Sequence, residues 1–474
     1  MAMIRRLLIA NRGEIARRII RSAAAMGIST VAVYSDADEA MPHTRDADLA
    51  VRLPGSSAAE TYLRGDLIIA AARASGADAI HPGYGFLAEN AGFARACEAA
   101  GLIWVGPPAS AIEAMGSKLS AKALVSAAGV PVLESVAVAS AVGSAGASAV
   151  GSAASAADDG PTLDLAAAGE RIGFPLLVKA SAGGGGRGMR VVRSAGELAG
   201  AVESAGREAL AAFGDGTVFL ESYLEGAHHV EIQVLADAHG GCVSLFERDC
   251  SVQRRHQKII EECPSPVVTP ELRAAMGSTA VDAARSVGYV GAGTVEFLMS
   301  PSTGRFVFLE MNTRLQVEHP VTEMVTGLDL VRLQLEVAEG AVLPAAVHEA
   351  VARGPVGWSV EARLYAEDPG QDWRPSTGRL HLFSVPETGA RVDAGVETGS
   401  VVSPYYDPML AKVIAVGSSR EEACRILART LAEARVHGVT TNRDLLVGIL
   451  GDAEFLSGAA DVQYLERRGV GDFV

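Results

Sequence analysis

The N-terminal part of the sequence alternates short apolar runs with helical patterns, and this alternation constrains the fold more than any other feature. Strands are predicted at Arg6–Ala10, Thr30–Tyr34, Ala79–His81 and Ile103–Val105, and helices at Glu14–Met26, Leu67–Ser75 and Phe93–Ala100. Such β-α-β alternation predicts a mostly parallel, doubly wound sheet. Asn11-Arg-Gly-Glu14 follows the first strand in place of Gly-x-Gly-x-x-Gly, so no dinucleotide site is predicted there.

The composition excludes several classes of protein. The 474 residues are 49% hydrophobic and carry a net charge of −15, which argues against a protein that lies along a nucleic-acid backbone. The sequence has no apolar run long enough to span a membrane. Its five cysteines include no Cys-x-x-Cys pair. A sparse, odd set of cysteines indicates reduced thiols, so the sequence predicts a cytoplasmic α/β protein without disulfides or a zinc site.

The chain is long enough for three domains of ordinary size, and changes of pattern predict their boundaries at 1–114, 115–332 and 333–474. Residues 139–170 differ from the rest, because ASAVGSAG is followed at once by the near-repeat ASAVGSAA. Sequence rich in Ala, Ser and Gly has no large side chains whose burial could offset its ordering entropy. We therefore predict a flexible surface insertion inside a mobile segment that covers about 133–223.

A glycine-rich loop, Gly183–Gly188, joins two predicted strands and follows Lys179. Consecutive glycines let backbone N–H groups surround an anion without obstruction by side chains. The Walker loop opens a helix, whereas this loop connects strands, so it predicts a flap over nucleotide phosphates; a plain flexible hairpin is the alternative. Lysines draw attention because a compact ammonium differs from a guanidinium and the 41 basic residues include only five of them: Lys118, Lys122, Lys179, Lys258 and Lys412.

A second predicted hairpin sets two glutamates opposite each other. Glu296 lies in the strand Gly293–Met299 and Glu310 in the strand Arg305–Met311, both equally far from position 303. Opposed residues on one face of a hairpin have Cβ atoms about 5 Å apart. Carboxylates that close repel unless a cation bridges them, and hard Mg²⁺ or Mn²⁺ prefers oxygen ligands. The hairpin predicts a metal pair, with two unrelated exposed acids as the alternative.

Polar residues continue in alternation beyond this hairpin, from Glu310 through Asn312, Arg314 and Gln316 to Glu318. If the strand stays extended, alternation places all of them on one face. That face offers metal ligands, a guanidinium, an amide and a possible general base. We interpret it as a reaction track in preference to a polar surface.

A third cluster, Glu247–Lys258, concentrates Arg248, Arg254, Arg255 and Lys258 in an acidic protein. Grouped cations and amides are typical of a site for phosphate or carboxylate groups, and a surface patch of salt bridges is the alternative. The lysine favours a function, because this sequence otherwise uses arginine for most of its basic residues.

Together these segments resemble the biotin carboxylase component of biotin-dependent carboxylases, in the ATP-grasp superfamily. The matching motifs extend over nearly the whole chain: Ile9–Ala16, His81–Asn90, Met115–Lys118, the glycine loop, Glu247–Lys258, Glu310–His319 and Glu361–Arg363. The resemblance implies an α/β ATP-grasp fold with an N-terminal doubly wound Rossmann-like domain, a mobile glycine-rich flap domain and a mixed C-terminal domain. It implies carboxylation of biotin by bicarbonate and ATP through carboxyphosphate, with Mg²⁺ or Mn²⁺.

The resemblance also implies roles for individual residues. The set expected to bind ATP is Lys118, Lys179, Gly185, Gly186, Met189, Glu221, Leu224, His229, Gln253 and His256. Glu296, Glu310 and Asn312 match the metal ligands, and the bicarbonate- and biotin-binding groups are Lys258, Arg314, Gln316, Val317 and Arg363. Glu318 matches the base that deprotonates bicarbonate, and Arg363 the guanidinium that stabilises the biotin enolate. With Lys258 and Arg314 they form the expected catalytic set.

Partners follow from the same resemblance. The sequence has no Met-Lys pair, so biotin is expected on a separate carrier protein or domain, and the second half-reaction on a carboxyltransferase. A homodimer without nucleic acid or membrane is expected. The acceptor is expected to be an acyl-CoA of the acetyl- or propionyl-CoA type, as in fatty acid biosynthesis, although pyruvate and urea stay open.

Two alternatives remain. One is another ATP-grasp ligase that joins a carboxylate to an amine or thiol, which would have no reason to keep Arg363 or the Gln253–Lys258 cluster. The other is a non-catalytic ATP-binding subunit, which would be expected to lose some of the intact polar residues at 296, 310, 314 and 318.

Overall fold

The computed structural model describes residues 3–138, 165–180, 189–213, 216–255 and 257–473. The N-terminal region is the alternation predicted from the sequence: β1 (Arg6–Ile9), α1 (Gly13–Ala25), β2 (Ser29–Tyr34), α2 (His43–Asp46), β3 (Leu49–Arg52), α3 (Gly65–Ser75), β4 (Ala79–His81), α4 (Ala91–Ala99), β5 (Ile103–Trp104) and α5 (Ala109–Gly116). Its five strands form one sheet in the order β3-β2-β1-β4-β5. All four strand pairs are parallel, which confirms the doubly wound sheet.

The apolar pattern of the first elements explains why they pack as they do. Leu7, Leu8 and Ile9 are fully buried, as both faces of a parallel sheet are covered by helices. Ile15 and Ile19 on α1 are four residues apart and buried in the same core, which gives the helix its apolar stripe.

A second, antiparallel sheet of four strands follows. The elements of this region are α6 (Lys118–Ala127), β6 (Ser135–Val138), α7 (Leu165–Ile172), β7 (Leu176–Ala180), β8 (Arg190–Val192), α8 (Ala195–Phe213) and β9 (Val218–Ser222), with the strand order β6-β9-β7-β8. The glycine loop between β7 and β8 and most of the predicted insertion lie outside the described residues.

The insertion was predicted to reach residue 170, and this is wrong for its last six positions. Leu165–Ile172 is helix α7, and Gly169 is so close to α8 that an added Cβ would lie 2.7 Å from Leu198. A small residue that suggested flexibility in the sequence instead permits close helix packing, because nothing protrudes at the contact. Residues 139–164 are not described, so the rest of that prediction stays a prediction.

The largest sheet among the described residues has eight strands. Its region contains β10 (His228–Ala236), β11 (Cys242–Arg254), β12 (Gln257–Cys263), α9 (Pro270–Ser286), β13 (Gly291–Met299), β14 (Phe306–Asn312), α10 (His319–Thr326), α11 (Leu330–Ala338) and α12 (Ala345–Arg353). The C-terminal elements are β15 (Trp358–Tyr365), β16 (Glu367–Asp368), β17 (Arg374–Pro375), β18 (Gly378–Arg379), β19 (Leu382–Ser384), β20 (Ala390–Ala394), β21 (Val401–Val402), β22 (Met409–Gly417), α13 (Arg420–Glu433), β23 (Arg435–His437), α14 (Arg443–Gly451), α15 (Ala453–Leu456) and α16 (Tyr464–Arg468). The sheet order is β14-β13-β10-β11-β12-β15-β22-β20, so one continuous sheet joins the middle of the chain to its C-terminal third.

Two of the short C-terminal strands pair outside the large sheet, β18 with β21 and β19 with β23. The expected extended track from residue 310 to 318 ends at Asn312, because the chain bends there and enters α10, which has Pro320 in its first turn. The equal spacing of the hairpin glutamates is confirmed, since Glu296 and Glu310 are register partners.

None of the helices within these described ranges combines the length and the apolar composition needed to cross a bilayer.

Candidate active site

A buried ammonium group lies at the centre of the polar cluster on the eight-stranded sheet. Lys258 Nζ donates to Glu231 Oε2 at 2.5 Å, to Glu318 Oε1 at 2.7 Å and to Glu296 Oε1 at 2.9 Å. An ammonium has three protons, and here each meets a different carboxylate. The glutamates come from β10, from the bend before α10 and from β13, so folding alone brings this site together.

Arg363 on β15 adds a second cation on the other side of Glu318. Its Nη2 donates to Glu318 Oε2 at 3.0 Å, and its Nε donates to Glu261 Oε1 at 2.5 Å. Glu318 is thus held between an ammonium and a guanidinium, and it is 0% exposed.

The positive charges of Lys258 and Arg363 keep Glu318 ionised. Burial alone would raise the pKa of Glu318, but Lys258 and then Arg363 lower it well below its usual range. The ionised carboxylate has a free lone pair for a proton, but its low pKa makes it a weak base. It becomes an effective base only when Lys258 or Arg363 turns to another anion.

Arg248 supports this cluster from beneath. The guanidinium is 0% exposed and donates to Glu231 at 2.6 Å and to Gln233 at 2.7 Å. Further donations reach hydroxyl groups of Thr294 and Thr322, both at 3.0 Å. Because every donor group finds an acceptor within the protein, Arg248 anchors strands and is not placed to bind a substrate.

Glu296, on the first strand of the hairpin, has several bonded partners. Its Oε1 accepts hydrogen bonds from Asn312 at 2.9 Å and Gln316 at 3.0 Å in addition to Lys258, and its Oε2 lies 3.0 Å from His229 Nε2. Burial raises its pKa, but Lys258 and His229 lower the pKa below the usual range. The carboxylate is therefore ionised without a metal ion.

The residues around the hairpin fit a hard divalent cation by the chemistry of their donors. Glu296 is buried and ionised, its register partner Glu310 is half-buried, and the Asn312 amide is adjacent. Oxygen ligands of this kind suit Mg²⁺ or Mn²⁺. Metal binding by these residues stays a prediction.

Residues 312–316 converge even though the strand ends. Arg314 donates to Gln316 Oε1 at 2.8 Å and to Asn312 Oδ1 at 3.0 Å. The guanidinium also bonds Glu89 at 2.8 Å, which lies in the loop before α4. The predicted track is thus a bent polar arm braced against the N-terminal region, not an extended face.

A second acidic centre lies on the four-stranded sheet. Lys179 Nζ on β7 donates to Glu221 Oε2 on β9 at 2.7 Å, and Lys122 on α6 contacts the other oxygen of Glu221. All three side chains are buried. The sequence had singled out all these residues but gave no reason to join Lys122 to this pair.

The remaining predicted site residues divide into three groups. His229 and Gln253 reach the main cluster, with Gln253 Nε2 2.9 Å from His229 Nδ1, and the backbone carbonyl of Val317 accepts a hydrogen bond from Lys412 at 2.7 Å. Met189 and Leu224 are half-buried near the ends of strands on the smaller sheet. Gly185, Gly186 and His256 fall outside the described residues, as does the side chain of Lys118 at the start of α6.

The third polar cluster of the sequence separates in space. Gln253 and Lys258 face the active site, Arg254 pairs with the buried Glu367, and Arg255 pairs with Asp372 at the surface. The alternative of a salt-bridged surface is therefore right for Arg255 alone of these residues.

Sequence reasoning missed Glu231 and Glu261. Each stands in a predominantly buried strand, and a charge in such a run is a signal in itself, since buried carboxylates are rare unless they are paired. Both lack the motif context that singled out the other residues.

A cavity of about 520 Å³ opens beside Arg363. Its lining includes Arg314 and Val317 together with the aromatic side chains of Tyr84, Phe86 and Tyr406. A cleft with apolar walls and converging cations suits a small organic molecule next to an anion.

Three family descriptions match successive parts of the chain. Residues 3–112 match "Biotin carboxylase, N-terminal domain", residues 134–346 "Carbamoyl-phosphate synthase L chain, ATP binding domain", and residues 361–467 "Biotin carboxylase C-terminal domain". Biotin carboxylase 1 of Bacillus subtilis (strain 168) is 45% identical over 469 residues, which is 99% of both proteins. The chain belongs to the biotin carboxylase family. The predicted family and fold class are confirmed.

Solved structures agree with this family. A biotin carboxylase from Campylobacter jejuni in a β-γ-ATP complex has a TM-score of 0.89 at 38% identity and covers 98% of this chain and 99% of its own. The biotin carboxylase domain dimer of the Hydrogenobacter thermophilus 2-oxoglutarate carboxylase, in complex with MgADP, ADP and bicarbonate, has a TM-score of 0.88 at 41% identity, covering 99% and 98%.

Longer members of the family are equally similar. The mitochondrial methylcrotonoyl-CoA carboxylase subunit alpha of Dictyostelium discoideum is 48% identical over 464 residues, 98% of this chain but 63% of that protein. The chain therefore spans about three fifths of the length of such subunits.

Proposed function

We propose that this chain carboxylates biotin on a carrier protein, using ATP and bicarbonate through carboxyphosphate, and releases ADP and phosphate. The observation that carries the proposal is the bonding of Glu318 between Lys258 and Arg363 at 2.7 and 3.0 Å. That arrangement combines a base with two cations beside a cavity of suitable size.

The proposed chemistry begins with the binding of bicarbonate by two cations, Lys258 and Arg314. Bicarbonate competes for Lys258 and for Arg314, and when Lys258 turns to it, Glu318 loses part of the charge that lowers its pKa. The carboxylate then accepts the proton of bicarbonate, which makes the substrate a nucleophile toward the γ-phosphate. Gln316 and the backbone of Val317 lie next to Glu318 and orient the anion.

Arg363 acts in the second step. Carboxyphosphate gives CO₂ and phosphate, phosphate takes the ureido proton of biotin, and the resulting oxyanion needs a fixed donor. The guanidinium lines the cavity and is buried, so it can hold the oxyanion while its Nε stays bonded to Glu261.

The nucleotide is assigned to the smaller sheet and the groove beside it. Lys118, Lys179, Gly185, Gly186, Met189, Glu221, Leu224, His229, Gln253 and His256 are the proposed ATP-binding set. A Mg²⁺ or Mn²⁺ ion, held by Glu296, Glu310 and Asn312, would neutralise charge on the phosphates. We retain domain boundaries at 1–114, 115–332 and 333–474, with the flap at about 133–223.

The proposed partners are a biotin carrier protein or domain, a carboxyltransferase and a second copy of this chain. The similarity to methylcrotonoyl-CoA carboxylase subunits favours an acyl-CoA as the final acceptor. The cytoplasmic location stays a prediction from composition.

The test is ADP release with Mg-ATP and bicarbonate, with and without free biotin. We expect biotin to stimulate ADP release and acid-labile ¹⁴C to appear from labelled bicarbonate. An ATP-grasp ligase for an amine or thiol would release ADP without any response to biotin or to a biotinylated carrier domain, and that result would reject the proposal.

A further inference from the structure

Glu361 is a buried acid that the proposed mechanism does not use. It lies on β15, two residues before Arg363, and its register partner across the sheet is Glu261 on β12. Both glutamates are 0% exposed. Opposed residues in antiparallel strands have Cβ atoms about 5 Å apart, so two carboxyl groups meet behind the Arg363 guanidinium.

The hydrogen bonds of this pair are incomplete among the described residues. Glu261 Oε1 accepts from Arg363, but Glu261 Oε2 and both oxygens of Glu361 have no partner there. Buried polar atoms without partners are costly. The missing element is one donor between the two carboxyl groups.

The charges around Glu361 come from every element packed against it. Glu261 faces it from β12, Arg363 lies on its own strand, Lys412 lies on β22, and Glu318 and the neutral His319 lie at the start of α10. The ammonium of Lys412 bonds the Val317 carbonyl at 2.7 Å and is 3.3 Å from Glu14, so its charge acts on Glu14 as well as on Glu361.

These surroundings favour the neutral acid. Burial raises the pKa of Glu361 well above its usual range; Lys412 opposes this shift and Glu261 adds to it. Two opposed buried carboxyl groups cannot both be ionised at small cost, so the pair retains a proton.

We propose that Glu361 is a positioning residue that, as a neutral carboxylic acid, donates a hydrogen bond to Glu261 and so fixes the partner of Arg363. The inference rests on the proposed function, because it assigns this support to the guanidinium that would hold the biotin oxyanion. Arg363 has two acidic partners, and its bond to Glu318 must yield when the oxyanion forms. Glu261, held from behind, keeps the guanidinium plane in place during that exchange.

The experiment compares Glu361→Gln, which keeps a neutral donor of similar shape, with Glu361→Leu, which has none. Glu262→Gln is the matched control, because Glu262 is a buried acid on β12 that bonds Arg420 on α13 instead of the active site. The readouts are kcat/KM for free biotin, the Kd for ATP, and the infrared difference spectrum of wild type minus Glu361→Gln.

We expect Glu361→Gln to keep kcat/KM for biotin within about 3-fold, and Glu361→Leu to lose about 10-fold or more through one unsupported buried group. The Kd for ATP should be unchanged in both variants, and Glu262→Gln should keep normal kinetics. The wild type should show the carbonyl stretch of a protonated carboxylic acid that Glu361→Gln lacks.

Three results would overturn the inference: equal damage in Glu361→Gln and Glu361→Leu, full activity in Glu361→Leu, or no protonated-acid band. The spectrum does not depend on turnover. If neither biotin nor a biotinylated carrier domain stimulates the wild type, the proposed function fails, while the band still decides the protonation of Glu361.

Discussion

The two acidic centres of this protein differ in how firmly their charges are held. On the eight-stranded sheet, Glu318 is bonded by Lys258 and Arg363, and the same ammonium also bonds Glu231 and Glu296. On the four-stranded sheet, Lys179 and Lys122 contact different oxygens of Glu221. In the first network one ammonium bonds three acids, whereas in the second two ammonium groups contact one acid.

This difference predicts how each centre responds when one of its cations is lost. Removal of Lys258 takes a hydrogen bond from three acids at once, although Glu318 keeps Arg363 and Glu231 keeps Arg248, so the larger sheet is sensitive to that change. On the smaller sheet two lysines contact the two oxygens of Glu221, so under the proposed function Lys179 would turn to a phosphate while Lys122 stays with Glu221. That suits a nucleotide site that opens and closes.

The largest effect should come from Glu318→Gln. The change removes the proposed base while it keeps the shape of the side chain, so carboxylation should fall by about 10²–10⁴-fold. ATP binding should be spared, because Glu318 is not among the proposed ATP-binding residues. Fixation of ¹⁴C and the Kd for ATP measure the two effects; near-normal turnover would remove Glu318 as the base.

Lys258→Met compared with Lys179→Met tests the contrast directly. Breaking a buried ion pair by removing one partner costs about 3–5 kcal/mol of unfolding free energy, and Lys258 serves three acids. Lys179→Met should cost only about 1.5–3 kcal/mol, the value of a hydrogen bond to a charged group, because Glu221 retains Lys122. Urea unfolding measures both, and equal losses would contradict the comparison.

The pH dependence of the stability of Glu361→Gln should show a smaller effect, and the direction of that effect is predicted. The pKa of Glu361 is raised on folding, so the folded wild type retains a proton that the unfolded chain releases, and its stability falls as pH rises above about 4.3. The glutamine variant does not lose this stability. The difference in unfolding free energy is about 1.4 kcal/mol for each unit by which folding raises the pKa of Glu361. Its relative stability should therefore increase from pH 4 toward neutrality.

Urea melts at several pH values measure this trend, with Glu98→Gln on the exposed side of α4 as the control. A variant that loses relative stability as the pH rises would show that Glu361 is ionised in the folded protein.

Deletion of residues 141–157 should have the smallest effect. Their Ala-, Ser- and Gly-rich sequence predicts no packed core, so the unfolding free energy should change by less than about 0.5 kcal/mol. ATP cleavage should continue at a normal rate. A marked fall in melting temperature or in rate would show that the segment contributes to the flap after all.

The sequence predicted the N-terminal sheet and the opposed pair Glu296 and Glu310, because both rest on local periodicity and spacing. It failed after Asn312, where the alternation of polar residues continues in the sequence but the strand ends and the chain bends toward α10. It also failed at 165–170, where small residues indicated flexibility and the structure uses them for close packing. Local patterns do not show what a segment will contact.

By itself, then, the sequence determined the fold class, the family and most of the polar residues, since motifs and alternation are properties of neighbours along the chain. Three contacts could be seen only in the folded protein: Lys258 bonds three acids, Lys122 contacts Glu221, and Glu261 lies opposite Glu361 behind Arg363. Those relations join strands and helices that are distant in sequence. Burial then sets their energies, because charges interact strongly only where water is excluded.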